Sequence, residues 1–206
     1  MQEIKNIIFD LGGVIINLDM HATTNAFTEL AQKYNVTQTD FHAEHPVFKE
    51  FEIGAISPQA FRNTIKDLLH KNISDAEIDF AWNAMLLDIP AERLELLSAL
   101  KNKYNTFLFS NTNNIHYHAF NKILFDAHGY KLLDDFFQKA YYSHIMGKRK
   151  PNADGFLQIL NENDLHPAET LFLDDTQMHL DGAAQLGIHT QKVTAENTIH
   201  EILKNF

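Results

Sequence analysis

The chain has 206 residues, 45% hydrophobic and 11% aromatic, which is enough to bury a full core and too apolar for a disordered chain. It contains no cysteine, which excludes disulfides and thiolate metal sites. Its formal net charge of -10 argues against a general nucleic-acid or anionic-membrane surface, so a bound anion must be met by a local positive site. No apolar stretch approaches the length of a membrane span, and residues 1–3 do not open a charged region followed by a long apolar one, so a cytoplasmic location is expected.

The first predicted strand covers residues 4–9, an Ile-rich run of the kind buried on both faces in a parallel sheet. It ends at Asp10, followed by Leu11, Gly12 and Gly13. A carboxylate at a strand's C-terminal end, with two glycines that let backbone approach a ligand, suits a site in the crevice beyond the strand ends. The same residues also make an ordinary turn.

Helical periodicity follows. Ala26, Phe27, Leu30, Ala31 and Tyr34 share one face of a predicted helix, and Phe41, Val47, Phe48 and Phe51 suggest another. Ser57-Pro58 reads as N-cap and first helical position, with Phe61, Ile65, Leu68 and Leu69 behind it. Ser74 and Glu77 have capping-box spacing ahead of Ile78, Ala81, Trp82 and Met85. Residues 18–88 thus read as an all-helical block inserted into an α/β chain.

From Pro90 the alternation resumes. A helix to about Lys103 leads to a strand at 106–109 that ends in Ser110, Asn111, Thr112 and Asn113. A weaker strand covers 140–142, and a clear one covers 170–173 and ends at Asp174 and Asp175. A fifth opens at 187–190, before a short C-terminal helix. In a parallel sheet these strand ends face one edge, so Asp10, Ser110, Asn111, Asp174 and Asp175 can meet, joined by Lys150 from the run Lys148-Arg149-Lys150. Converging carboxylates repel one another without a cation, and hard oxygen ligands suit Mg²⁺. Ser110, Asn111 and Lys150 then supply donors to phosphoryl oxygens. Taken singly, each has a plainer reading, as turn chemistry, a solvated basic run or a helix cap. Their joint occurrence at successive strand ends is what points to a site.

The chain resembles the haloacid dehalogenase superfamily, in the subfamily with a helical cap between its first and second motifs. Asp10-Leu11-Gly12-Gly13-Val14 matches the first motif, Ser110-Asn111 the second, Lys150-Pro151 the third and Asp174-Asp175 the fourth. Ser110-Asn111-Thr112-Asn113 with His116 is similar to the bacterial α-D-glucose-1-phosphate phosphatase branch. The resemblance implies two-step phosphoryl transfer from a small phosphorylated metabolite, a sugar phosphate foremost. Asp10 is the implied nucleophile, Ser110 and Lys150 the groups on the phosphoryl oxygens, with Asn111, Gly12 and Gly13 also at the substrate. The resemblance also implies a Mg²⁺ held by Asp10, the Gly12 carbonyl and Asp174, with Asp175 close by. Two positions depart from the family pattern: Gly12 stands where a proton-donating Asp is usual, and His179 where relatives often carry Asn.

The expected architecture is a Rossmann-like α/β core of residues 1–17 and 89–206, a parallel sheet with helices on both faces, and a helical cap of residues 18–88. Two other functions stay open. One is metal-free 2-haloacid dehalogenation, against which the Asp174-Asp175 pair counts; the other is a non-catalytic module that binds a phosphometabolite, motivated by Gly12. His42 and His45 lack further ligands for a zinc site, His116 and His118 diverge on a helix, and Asp19 with His21 lies near the junction of the two parts, as candidate substrate contacts or as a polar hinge. Oligomeric state is not legible.

Overall fold

The computed structural model describes residues 3–36, 42, 44–69 and 71–204. Phe41, assigned above to a helix face, lies outside them. The described strands are β1 (Asn6–Phe9), β2 (Asn105–Ser110), β3 (Lys139–Tyr142), β4 (Thr170–Asp174) and β5 (His189–Lys192). They form one sheet in the order β3-β2-β1-β4-β5, with every neighbouring pair parallel.

Side-chain alternation along the central strands sorts the core into two layers. Ile7 and Phe9 join Leu108, Tyr142, Leu171 and Leu173 on one face, while Ile8 joins Phe107, Phe109, Tyr141 and Phe172 on the other. The first face is covered by α5 (Ala91–Leu100), α6 (Asn114–His128) and α10 (Ile199–Leu203); the second is covered by α8 (Ala153–Glu162) and α9 (Gln177–Ala184). β1, in the middle of the sheet, has Ile7, Ile8 and Phe9 fully buried, and each contributes about 1.5–3 kcal/mol by leaving water.

Between β1 and α5 come α1 (Met20–Lys33), α2 (Pro46–Glu52), α3 (Pro58–Leu69) and α4 (Asp75–Asn83). Their apolar faces close on a third cluster that includes Phe27, Val47, Phe51, Phe61, Ile65 and Ile78, to which α6 adds Ile115. Local chemistry starts these helices. Asp19 accepts the His21 N–H at 2.9 Å, Ser57 Oγ accepts the Ala60 N–H at 3.1 Å, and Ser74 with Glu77 forms the full capping box. The two crossings into this segment pair with each other: the Asn17 N–H donates to the Asp88 carbonyl at 2.9 Å and the Leu87 N–H to the Asn17 carbonyl at 3.0 Å. A short helix, α7 (Ser143–Met146), follows β3.

Several boundaries differ from the sequence reading: β1 starts at Asn6 rather than Ile4, and α5 ends at Leu100 rather than near Lys103. β5 starts at His189, because Gly187 at φ +83° belongs to the turn after α9. Met85 falls beyond α4, and its carbonyl accepts the Asp19 N–H at 3.0 Å across the paired crossings. Tyr34 is the C-cap residue of α1, with its hydroxyl on Glu77 at 3.0 Å.

Candidate active site

Since all five strands run parallel, β1, β2 and β4 deliver Asp10, Ser110 and Asp174 to the same edge of the sheet. Lys150 reaches that edge from the loop ahead of α8. It is wholly buried, with Nζ 2.6 Å from Asp10 Oδ1 and 2.7 Å from Asp174 Oδ2. The rings of Phe109 and Phe172 lie 5.6 and 5.3 Å from the same nitrogen and wall it from solvent. Asn111 fixes the backbone at this point: its Oδ1 accepts the Lys150 N–H at 2.9 Å and its Nδ2 donates to the Lys150 carbonyl at 3.0 Å. Both ends of that amide are therefore occupied with holding Lys150. Ser110 is buried, and among the described residues no hydrogen bond uses its hydroxyl.

Asp174 is fully buried and densely partnered. Its Oδ1 accepts the Thr176 N–H at 2.8 Å, and His179 Nδ1 lies 3.1 Å from both carboxylate oxygens. His179 thus stands behind Asp174 as a hydrogen-bonding support. Asp175 is exposed, and its Oδ1 accepts from the Thr176 hydroxyl at 3.0 Å. Gly13, at φ +70°, lies against this carboxylate so closely that a Cβ would collide with Asp175 Oδ2. The turn after Asp10 therefore needs glycine at position 13 for conformation and for space. Gly12 sits in the same turn without positive φ; a Cβ there would meet Leu18 Cδ1 at 2.6 Å.

Asp10, Asp174 and Asp175 can each bring one oxygen within 4.8 Å of the others, the one such metal-ligating group found among the described residues. Three converging carboxylates exceed the single positive charge of Lys150, and their oxygens are the hard donors that Mg²⁺ takes. The residues present fit that ion. The protonation pattern follows from burial and charge. Burial, with help from Asp174, pushes Asp10 up to about 6 against the opposing pull of Lys150. For Asp174 the burial penalty is outweighed by Lys150 and His179, which hold its carboxyl below the ordinary range. The Lys150 ammonium, which burial alone would discharge, is kept charged by the two carboxylates.

The remaining sequence candidates fall elsewhere. Asp19 serves as the N-cap of α1, in line with the plainer of its two readings. His45 caps α2 through Nδ1, 3.2 Å from the Val47 N–H. His116 is buried where α4 meets α6. Trp82 stacks on it at 5.0 Å, with ring planes 8° apart, and its Nδ1 lies 2.9 Å from Asn83 Oδ1. Burial lowers its pKa to about 4, so the ring is neutral.

Two residues at this edge escape sequence reasoning. Ser143 is buried with its hydroxyl against Thr112 and the Glu52 carbonyl, and the Glu52 carboxylate lies 2.9 Å from Arg149 Nε. The one signal was the basic run around Arg149, which offers more positive charge than Lys150 alone brings to the aspartates.

The chain belongs to the haloacid dehalogenase-like hydrolases, whose family model matches residues 4–187. Within that family it is similar to D-ribitol-5-phosphate phosphatase of Bacteroides thetaiotaomicron, 31% identical over 187 residues that span 91% of this chain and 90% of that enzyme. Among solved structures, a family enzyme of Bacteroides thetaiotaomicron in complex with magnesium and inorganic phosphate superposes with a TM-score of 0.85 at 36% identity, covering 97% of this chain and 99% of that one. A predicted HAD-like family hydrolase of Porphyromonas gingivalis also gives 0.85, at 32% identity, covering 98% and 97%.

Proposed function

We propose that this chain is a Mg²⁺-dependent phosphatase that hydrolyses a small phosphorylated metabolite, a sugar or polyol phosphate, through an aspartyl-phosphate at Asp10. The observation that carries the reading is Lys150 buried between Asp10 and Asp174, with Asp175 beside them. The phosphatase name of one relative and the magnesium and phosphate bound to another point the same way.

Asp10 attacks phosphorus, forming an Oδ–P bond as the bond to the ester oxygen breaks and its electron pair leaves on the alcohol. Water then attacks the same phosphorus, releasing inorganic phosphate and the Asp10 carboxylate. Lys150 holds a phosphoryl oxygen with an ammonium that the two neighbouring carboxylates keep charged, and the Ser110 hydroxyl is free to donate to another. Mg²⁺ held by Asp10, Asp174, Asp175 and the Gly12 carbonyl would neutralise phosphoryl charge that these side chains alone leave uncompensated. Asn111 acts on Lys150 through its backbone. In this reading residues 18–88 form a cap on the core of residues 1–17 and 89–206, and they exclude water from the strand ends.

Metal-free dehalogenation is disfavoured because three carboxylates without a metal repel an anionic substrate. The test is release of phosphate and of halide, with and without Mg²⁺, across a panel of sugar and polyol phosphates and 2-haloacids. Phosphate release that stops in chelator and returns with Mg²⁺ is expected. Halide release in chelator, or binding without turnover of any ester, would replace the proposal with one of the other two functions.

A further inference from the structure

Glu52, the last residue of α2, touches both loops that carry the candidate phosphoryl-binding groups. Its backbone carbonyl accepts the Ser143 hydroxyl at 2.6 Å. The Ser143 oxygen in turn accepts the Thr112 N–H at 2.9 Å and lies 2.8 Å from the Thr112 carbonyl, two residues beyond Ser110. Its single proton cannot serve both carbonyls at once, so the fully buried hydroxyl is shared between α2 and the loop after β2. On its other side, the Glu52 carboxylate lies 2.9 Å from Arg149 Nε, the residue directly before Lys150. Both atoms are buried, and their alignment falls short of a hydrogen bond, so charge is what joins them. The fit around this point is close: at Gly54, φ +69°, a Cβ would collide with the His144 carbonyl.

We propose that Glu52 is a positioning residue: docked on Ser143 and Arg149, it couples the helical segment to the loops of Ser110 and Lys150, so that both donors are set while α2 is seated. The inference rests on the phosphatase reading above. Two contacts from one residue span the site, because Arg149 leads to Lys150 and Lys150 is bracketed by Asn111, the neighbour of Ser110. Loss of the carboxylate leaves Arg149 half-buried without its partner and frees the Lys150 loop to move. The nucleophile and the metal ligands stay in place, so the loss appears in turnover more than in affinity.

The experiment compares Glu52→Gln, Arg149→Met, Arg149→Lys and the double variant Glu52→Gln/Arg149→Met, with para-nitrophenyl phosphate as probe at saturating Mg²⁺. Each of the two neutral single variants should lower kcat about tenfold, with KM moved much less, as expected for misplaced groups. The double variant should lose no more than the worse single one, and Arg149→Lys should recover most of kcat. Amide exchange in the enzyme without substrate should quicken across residues 110–113 and 143–150 in Glu52→Gln, with β1 and β4 unchanged. Unchanged kcat, additive losses, or unchanged exchange in those two loops would each overturn the coupling. If wild type released no phosphate and Asp10→Asn behaved like it, the phosphatase reading would fall, and the exchange data would still decide whether Glu52 couples the two loops.

Discussion

Lys150 Nζ stands 2.6 Å from Asp10 Oδ1 in a site where the lysine is completely buried. A buried ammonium between two carboxylates adds little net stability, because desolvation offsets attraction, yet removing it strands the acids. Lys150→Met should therefore abolish turnover and cost about 3–5 kcal/mol at neutral pH in metal-free protein. Part of that loss should return on adding Mg²⁺, since the cation relieves the same repulsion. Chemical denaturation with and without the metal checks both points; an equal loss in the two conditions would mean that Mg²⁺ does not reach these carboxylates.

Asp10→Asn keeps the shape of the side chain and removes the proposed nucleophile, so activity should fall by several orders of magnitude. Stability should move the other way. With its carboxyl raised to about 6, folded Asp10 binds its proton more tightly than the unfolded chain does. Its contribution is complete below about pH 4 and is lost as pH rises through about 6. At pH 7 without metal, the Asn variant should be at least as stable as wild type, and it should gain less from Mg²⁺. Melting curves over this pH range decide it, and a variant clearly weaker than wild type at pH 7 would contradict the burial argument.

His116 gives the opposite slope. Its folded pKa of about 4 lies below the ordinary value, so the unfolded chain binds the proton more tightly. The stability it contributes is present above about pH 6.5 and disappears as pH falls through about 4, a change of about 3 kcal/mol at most. His116→Phe keeps a ring for Trp82 to stack on and removes the titration. Its stability should fall less steeply than wild type between those limits, although the bond to Asn83 is lost at every pH. Parallel acid slopes for the two proteins would show that His116 does not titrate there.

What could be read from the sequence was what short-range chemistry or strand polarity dictates. Ile7, Ile8 and Phe9 had to be buried on both sides, Ser57 and Ser74 had to start helices, and parallel strands had to bring Asp10, Ser110 and Asp174 to one edge. Contacts between residues remote in the chain were not legible. Lys150 could be singled out through the resemblance of Lys150-Pro151 to a family motif, but nothing in the run Lys148-Arg149-Lys150 assigns Arg149 to Glu52, a contact that depends on how the loop held by Asn111 meets α2. Trp82 read as part of an apolar helix face, and its ring in fact divides between the helical cluster and a stack on His116. Sequence also could not show that Leu18 fills the space beside Gly12.

That last contact bears on the departure of the leaving group in the phosphatase reading. A Cβ at position 12 would lie 2.6 Å from Leu18 Cδ1, so the place where the family resemblance expects a proton-donating carboxyl holds a methyl group. Without a donor there, an ordinary alkoxide leaves slowly, because its charge is not quenched in the transition state. An anomeric oxygen bears that charge more readily than a primary one, so hexose 1-phosphates should be cleaved faster than the corresponding 6-phosphates. The similarity to an enzyme named for ribitol 5-phosphate, a primary ester, makes this a sharp comparison, and that polyol phosphate belongs in the assay. In Gly12→Asp the Leu18 side chain must swing aside to admit the new side chain, whereas Gly12→Asp with Leu18→Ala makes room for the carboxyl outright. The double variant should then speed primary esters by about tenfold or more, within the range of general acid catalysis, and anomeric esters less. Leu18→Ala alone controls for the space itself. If wild type already prefers the primary esters and the double variant leaves that preference unchanged, the proton comes from another group, and Asp19 and His21, at the crossing into α1, are the next to replace.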